Sequence, residues 1–233
     1  MRKTIVSLLI GSIFFSRCTK EDFSPVETCE FQTDNPSGRS YSADSVVGIN
    51  YTKKHCGLIP LSLRNYWIYE DSVFTDGVFL RVQWDTLRYM STYQSLPDKL
   101  IWWEANISLG LPGKLYANDS ALFEIQDRMF TPDILDAMKG FCLFPGDSVK
   151  YLTSFDDAAA QGRSVKMQTK VETAAGSFDE WVLFEKNARN YRRDQVYFKP
   201  GLGVLRYTLE KAPMGTRVIK LQQVSTLVTY HIE

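Results

Sequence analysis

The side chains of this chain that could do chemistry or hold a ligand are few: Cys18, Cys29, Cys56 and Cys142, His55 and His231, and the adjacent pair Trp102-Trp103. Neither histidine has a second histidine or a cysteine at metal-ligand spacing, so no structural zinc and no metal or other cofactor is expected. A nucleophilic triad would have to be built on His55 or His231, and nothing around either suggests one. Paired carboxylates can hydrolyse glycosides, and Glu21-Asp22, Asp156-Asp157 and Asp179-Glu180 are adjacent pairs. Neighbours in extended or turn backbone point apart, so solvated surface is their expected role. Gly201-Leu202-Gly203 is followed by the β-prone Val204-Leu205-Arg206-Tyr207 rather than a helix. It therefore reads as a hairpin turn, with glycine supplying positive φ, and not as a phosphate loop. No catalytic residue is expected.

Trp102 and Trp103 lie in a strand-like run, where consecutive side chains point to opposite faces. One indole enters the core. The other faces solvent, a covering element or a ligand, so both are candidate ligand contacts. An indole offers a stacking surface and an N–H able to bond a sugar hydroxyl or a polar head.

Cys18 carries the clearest message. Met1-Arg2-Lys3 is a short basic start, Thr4 to Phe15 is uncharged and largely apolar, and Ser16-Arg17-Cys18 leads into the polar Thr19-Lys20-Glu21-Asp22. A basic start, a short apolar stretch and a small residue near a cut site describe a secretory signal. Twelve helical residues rise about 18 Å, well short of a bilayer's ~30 Å hydrocarbon core. A cysteine at the cut predicts a bacterial lipoprotein: signal peptide 1–17, then lipidation of Cys18 and anchoring in the outer membrane, on its periplasmic or cell-surface side. Of the other cysteines, Cys29 and Cys56 lie in the polar N-terminal third and Cys142 in the apolar Gly140-Phe141-Cys142-Leu143-Phe144. The envelope is oxidising, and a Cys29–Cys56 disulfide is expected. In the chain-entropy view such a loop is worth roughly 3 kcal/mol.

Residues 1–17 hold Arg2, Lys3 and Arg17 and no acid, so the chain from Cys18 has 24 basic against 27 acidic residues, a net charge of −3. That argues against a nucleic-acid partner. Residues 18–45, rich in Ser, Thr, Asp, Asn, Pro and Gly, read as a flexible tether. Residues 46–233 then read as a single β-rich domain. Aromatic and β-branched runs at 65–74 and 78–93 flank Thr75-Asp76-Gly77, a hairpin signal. Further strands are expected near 99–107, 113–118, 121–129, 148–155, 163–172, 178–185, 195–198, 203–211 and 217–230. The 163–172 run alternates apolar and polar residues, as a half-buried antiparallel strand does. One short helix is predicted at 131–139, with Thr131 as cap, Pro132 in the first turn and Gly140 as stop. The fold class is mainly β: a curved antiparallel sheet or half-barrel with one short helix.

Three segments carry a resemblance. Ile59-Pro60-Leu61 with Asn65-Tyr66-Trp67-Ile68-Tyr69 resembles a "P-L-x-x-G-N-x-W-x-Y" opening, with Arg64 where glycine is usual. Thr173 to Phe178 is similar to a "T-P-A-G-T-F" hairpin without its proline, and Tyr197 to Leu205 to a "Y-x-A-P-G-V-G-x-V" closing turn. Together they resemble secreted lipoproteins of Gram-negative bacteria with a LolA-like half-barrel, a sheet curled around an apolar groove or a short helix. The resemblance implies architecture and compartment rather than activity. The expected function is a non-catalytic binding or accessory role in the cell envelope, with an apolar or glycan ligand or a protein partner. A hydrolase of envelope glycan or lipid, or a purely structural surface-interaction module, are the alternatives.

Lipidation has a direct consequence. Intact-mass measurement of the mature, membrane-bound protein is expected to show a diacyl or triacyl adduct on an N-terminal Cys18, and Cys18→Ser is expected to release or misprocess it. A soluble product beginning elsewhere would contradict the assignment.

Overall fold

The computed structural model describes residues 29–36, 38–41, 43–126, 138–142, 149–155 and 158–233. The predicted signal peptide, Cys18 and the carboxylate pairs Glu21-Asp22 and Asp156-Asp157 lie outside them. The strands are β1 (Glu30–Phe31), β2 (Ser40–Tyr41), β3 (Val46–Ile49), β4 (His55–Cys56), β5 (Tyr66–Thr75), β6 (Val78–Ser95), β7 (Ile101–Ala105), β8 (Lys114–Ala117) and β9 (Leu122–Gln126). They continue with β10 (Met138–Cys142), β11 (Val149–Phe155), β12 (Ala158–Met167), β13 (Val171–Thr173), β14 (Gly176–Phe178), β15 (Trp181–Ala188), β16 (Arg192–Lys199), β17 (Gly203–Lys211) and β18 (Lys220–His231). The one helical turn among them is Ala43–Ser45.

Fourteen strands form one antiparallel sheet in the order β11-β12-β15-β16-β17-β18-β5-β6-β7-β8-β9-β10-β2, with β3 paired to β6. The final strand β18 lies beside β5, from Gln223 opposite Val73 to His231 opposite Tyr66. Strands β10 and β11 follow each other in the chain yet stand near opposite ends of this order. Laid flat, the eleven spacings between them would measure about 53 Å. The seven residues from Cys142 to Val149 reach at most about 25 Å. The sheet must curl, and it does so into a strongly curved half-barrel.

Strand β6 is the corner. Its first part pairs with β5 through Arg88 opposite Tyr66, and its last part pairs with β7 on one side and β3 on the other. The register shifts between Tyr89 and Ser91, where one half of the sheet hands over to the other. An extra residue there bends the strand and increases its twist. The β5–β6 connection has Asp76 at φ 52° and Gly77 at φ 84°, the two positive values a tight two-residue hairpin requires.

The concave face is filled by the protein itself. Trp67 and Tyr69 from β5, Leu87 and Tyr89 from β6, Trp103 from β7 and Phe198 from β16 meet in the main core. Two loops plug it, through Leu58, Ile59 and Leu61 and through Leu109 and Leu111. Two buried donors bond across the curl: Trp67 Nε1 donates to Leu202 O at 2.9 Å and Tyr69 Oη to Val204 O at 2.8 Å. The loops hold the place the family resemblance gives to a groove or a helix.

Three expectations are corrected. Met138, Lys139 and Gly140, predicted as the end of the helix, belong to strand β10, where Lys139 pairs with Gln126 and Gly140 with Ile125; residues 131–137 lie outside the described residues. Capping signals act only within a turn or two, whereas β9 offers an open edge that satisfies every second backbone group of this segment. The alternating run 163–172 is split, with β12 ending at Met167 and β13 starting at Val171 to form a separate hairpin with β14. The flexible tether does not extend to 45. From Cys29 onward it is tied to the domain at several points, with Tyr41 buried beside Trp102 at a ring separation of 5.8 Å. Tyr41 Oη donates to Asp98 Oδ2 at 2.7 Å, and Arg39 bonds the same oxygen at 2.8 Å. A single tyrosine anchor leaves no periodic trace in a polar segment, so composition alone reads it as tether.

Gly110 provides a test of the loop plug. It sits at φ 79°, after Leu109 at φ 42°. A Cβ there would lie 2.5 Å from Val196 Cγ2 and 2.7 Å from Tyr207 Cε2, both in the core. Gly110→Ala combines a disfavoured backbone conformation with overpacking and is expected to cost about 2–4 kcal/mol in urea unfolding. A loss below about 0.5 kcal/mol would show that the loop does not seal the core.

Candidate functional site

Both candidate tryptophans diverge as strand neighbours must, and both are fully buried. Trp103 joins the main core. Trp102 joins a second cluster on the other face of β7–β9, with Tyr41, Leu100, Tyr116, Ala121 and Phe123. The residues that cover Trp102 belong partly to the segment read as tether. Neither indole therefore borders open space, and their place as ligand contacts passes to other residues.

Trp103 has a different role. Its Nε1 donates to His55 Nδ1 at 3.1 Å. An indole N–H can only donate, so Nδ1 accepts and the imidazole proton sits on Nε2. Nε2 lies 2.7 Å from Tyr51 Oη, and the Tyr51 hydroxyl in turn donates to Glu30 Oε2. Lys53 closes on the other Glu30 oxygen. The Gln32 amide also lies against Nδ1. The Cys29–Cys56 disulfide, Cα–Cα 5.6 Å, stands beside this chain of hydrogen bonds. It holds β1 parallel to β4, with Glu30 opposite His55. Burial lowers the His55 pKa to about 4, outweighing the nearby Glu30 carboxylate. At 2% exposure, His55 is a buried, neutral histidine. His231 stacks on Tyr66 at the end of the sheet, 5.4 Å between rings.

A second polar group lies at the far end of the concave face. Asp71 on β5 is fully buried beside Asp85 on β6 and Ser225 on β18, and Gln223 Nε2 donates to its Oδ2 at 3.0 Å. Burial first, and the Asp85 carboxyl second, raise the Asp71 pKa to about 6. Asp71 Oδ1 receives no hydrogen bond from any donor. Carrying a proton, it can donate to Asp85. Further along that face Asp194 accepts from Arg192 through two bonds of 2.7 Å and from Tyr207 Oη at 3.0 Å. These are internal pairs that satisfy charges at the polar end of the core. Among the described residues, no three His, Cys, Asp or Glu side chains gather as a metal site.

Among the described residues, one open feature is a cleft of about 440 Å³ where the 118–120 turn faces β12, β15 and the turn after β16. Leu58, Met167, Trp181, Val182 and Pro200 form its floor, and Asp119, Ser120, Lys166, Gln168 and Glu180 its rim. Trp181 stacks on Tyr197, 4.7 Å between rings at 17°, and its Nε1 donates to Thr169 O at 2.7 Å. The indole is thus fixed in place from behind. Sequence reading missed this site, because its two halves come from residues 58 and 119–120 on one side and 166–200 on the other. The clue available was Trp181 beside the acidic Asp179-Glu180 pair. Glu180, at φ 47°, turns the backbone into β15.

Comparison with protein-family models and with curated proteins finds no match. Among solved structures, a protein from Bacteroides fragilis described as exported, with a YmcC-like fold, aligns over 76% of this chain and 99% of its own at 14% identity and a TM-score of 0.35. A protein from Parabacteroides distasonis described as a lipoprotein aligns over the same shares at 12% identity and a TM-score of 0.35.

The two buried titrating groups predict opposed pH effects. His55 has a folded pKa below its unfolded value, so its contribution is complete above about pH 6.5 and is lost as pH falls toward 4, about 3 kcal/mol in all. Asp71 has a raised folded pKa, so its contribution is largest below about pH 4 and is lost as pH rises through 6. The two largely cancel in the native protein. Asp71→Asn is expected to unmask His55, giving a urea midpoint that falls more steeply between pH 6.5 and 4 than that of the native chain. Parallel profiles would contradict this.

Proposed function

We propose that the protein is a lipid-anchored cell-envelope protein of the bacterial outer membrane, with a non-catalytic role in holding a small amphipathic ligand of the glycan type in the Met167–Trp181 cleft. The signal sequence and Cys18 support the compartment, and the Cys29–Cys56 disulfide fits an oxidising one. The observation that carries the ligand reading is the cleft itself. It has an apolar floor with an edge of Trp181 and five polar side chains around the mouth. Recessed apolar floors with a few converging polar groups are the usual form of small-ligand sites. A sugar ring meets this chemistry with its C–H face on Met167 and Trp181 and its hydroxyls toward Asp119, Ser120, Gln168 and Glu180. Among the described residues, Trp67, Tyr69, Trp103 and Phe198 pack the main core, which favours a glycan over an acyl chain.

The hydrolase alternative would draw on Asp71 and Asp85. Asp71 is fully buried and its carboxyl is turned to Gln223, Ser225 and Asp85. The burial of Asp71 favours a structural use of that carboxyl, while Asp85 beside it is half-buried.

The test is titration of the mature domain with outer-membrane oligosaccharide, following the Trp181 indole N–H by NMR. A shift of that resonance is expected, and Asp119→Ala with Gln168→Ala is expected to weaken binding about 10-fold through two lost hydrogen bonds while leaving the thermal midpoint unchanged. No shift with oligosaccharide, or a shift produced only by lipid, would overturn the glycan assignment.

A further inference from the structure

The first half of β6 is an uncovered strand edge. Strand β5 occupies one side of it as far as Thr75 opposite Val78. On its other side β7 begins only at Tyr89. Asn106 extends that cover by two residues: its N–H donates to Arg88 O, its Oδ1 accepts from Arg88 N and its Nδ2 donates to Thr86 O. Among the described residues, no strand pairs with residues 78–85 on that side. Antiparallel strands turn their backbone groups alternately to the two sides. Since those of 86 and 88 face outward, those of Val82 and Trp84 do too. Side chains here are exposed as well, Val82 at 47% and Trp84 at 59%. A long, apolar, unpaired edge is a template for strand addition.

The sequence of this edge matches itself. On the concave side, Arg81 Nε donates to Gln83 Oε1 at 3.2 Å and Gln83 Nε2 to Asp85 Oδ2 at 3.4 Å. A cation, an amide and an anion thus stand in a row along the strand. Two such edges set antiparallel about Gln83 bring Arg81 opposite Asp85 of the second copy, twice. On the outer side Val82 meets Trp84 of the second copy, also twice. The same register places the outward backbone groups of 82 and 84 opposite one another, as a hydrogen-bonded pair requires. Glu70, opposite Trp84 on β5, and Asp85 disfavour an anionic bilayer as the occupant of this surface.

We propose that the protein self-associates as a two-fold dimer through antiparallel pairing of residues 80–86, centred on Gln83, so that two half-barrels share a continuous sheet. Cross-strand charge pairs set the register, and the two-fold symmetry closes the contact. The proposal is independent of the ligand cleft.

The test uses the mature chain carrying Cys18→Ser, in sedimentation velocity over a range of concentrations. A monomer–dimer equilibrium is expected. Arg81→Asp and Asp85→Arg are each expected to weaken the dimer more than 10-fold, and the two together to restore it to within about 3-fold. Amide exchange at Val82 and Trp84 is expected to slow as concentration rises, which reports the pairing even if a charge variant folds poorly. A monomer up to about 100 μM would overturn the proposal. So would a dimer that neither single change weakens, or whose loss the double change fails to restore. Sedimentation of a monomeric protein with phosphatidylethanolamine–phosphatidylglycerol vesicles, abolished by Trp84→Lys, would overturn it in favour of a lipid surface.

Discussion

The pairing of the last strand with the first long one, β18 with β5, is the contact on which the rest of the structure depends. It joins the two runs of the chain into one sheet through partners far apart in sequence, from Gln223 opposite Val73 to His231 opposite Tyr66. With the short link from β10 to β11 tying the far edges together, a flat sheet is excluded by chain length alone. Curvature then determines everything inside. A half-barrel of this tightness has room for one layer of large side chains, and Trp67, Tyr69, Trp103 and Phe198 take it with help from two loops. Long-range strand pairing of this kind also makes folding slow relative to a helical domain of equal size.

A curled sheet filled by its own side chains has to place its polar groups at the ends. One end holds Asp71, Asp85 and Asp194 with their partners; the other holds the His55 chain of hydrogen bonds under the disulfide. Their partners are internal: His55 accepts from a donor-only indole, Asp194 from a bidentate arginine, and Asp71 from Gln223 at one oxygen while its Oδ1 has no donor. Such groups specify which residues meet at the ends of the core. They do not present chemistry to solvent. The cleft beside Trp181 is different in kind, because its polar side chains are exposed around a buried apolar floor.

What the sequence made legible was local. Asp76-Gly77 marked the β5–β6 hairpin, Gly201-Leu202-Gly203 the β16–β17 turn, and Thr173 to Phe178 a third hairpin, whose Thr173 Oγ1 accepts from Ala175 N at 3.1 Å. Turn chemistry and strand alternation act over a few residues, and they suffice for a mainly β class with a curved antiparallel sheet. Contacts made across the fold left no such mark. Tyr41 is one aromatic in a polar stretch, and its burial depends on Trp102 and Asp98. Met138 to Gly140 had the ending of a helix and took a strand because β9 was there to pair with. The Trp102-Trp103 pair was correctly expected to diverge, but which elements cover each face follows from the curl. The cleft assembles from residues 58, 119–120 and 166–200, segments well separated along the chain, so no spacing rule could have found it.

The central claim is that the concave interior is closed by the protein's own side chains. Collisional quenching of tryptophan fluorescence by acrylamide tests it most directly, because the five tryptophans sample every part of the fold. Trp67, Trp102, Trp103 and Trp181 are buried, and Trp84 alone is exposed. The account predicts a readily quenched class, Trp84 together with the cleft edge of Trp181, that disappears in the double change Trp84→Phe, Trp181→Phe, leaving emission that acrylamide barely reaches. Efficient quenching that survives this double change and is removed by Trp103→Phe would show an interior open to small molecules and would contradict it.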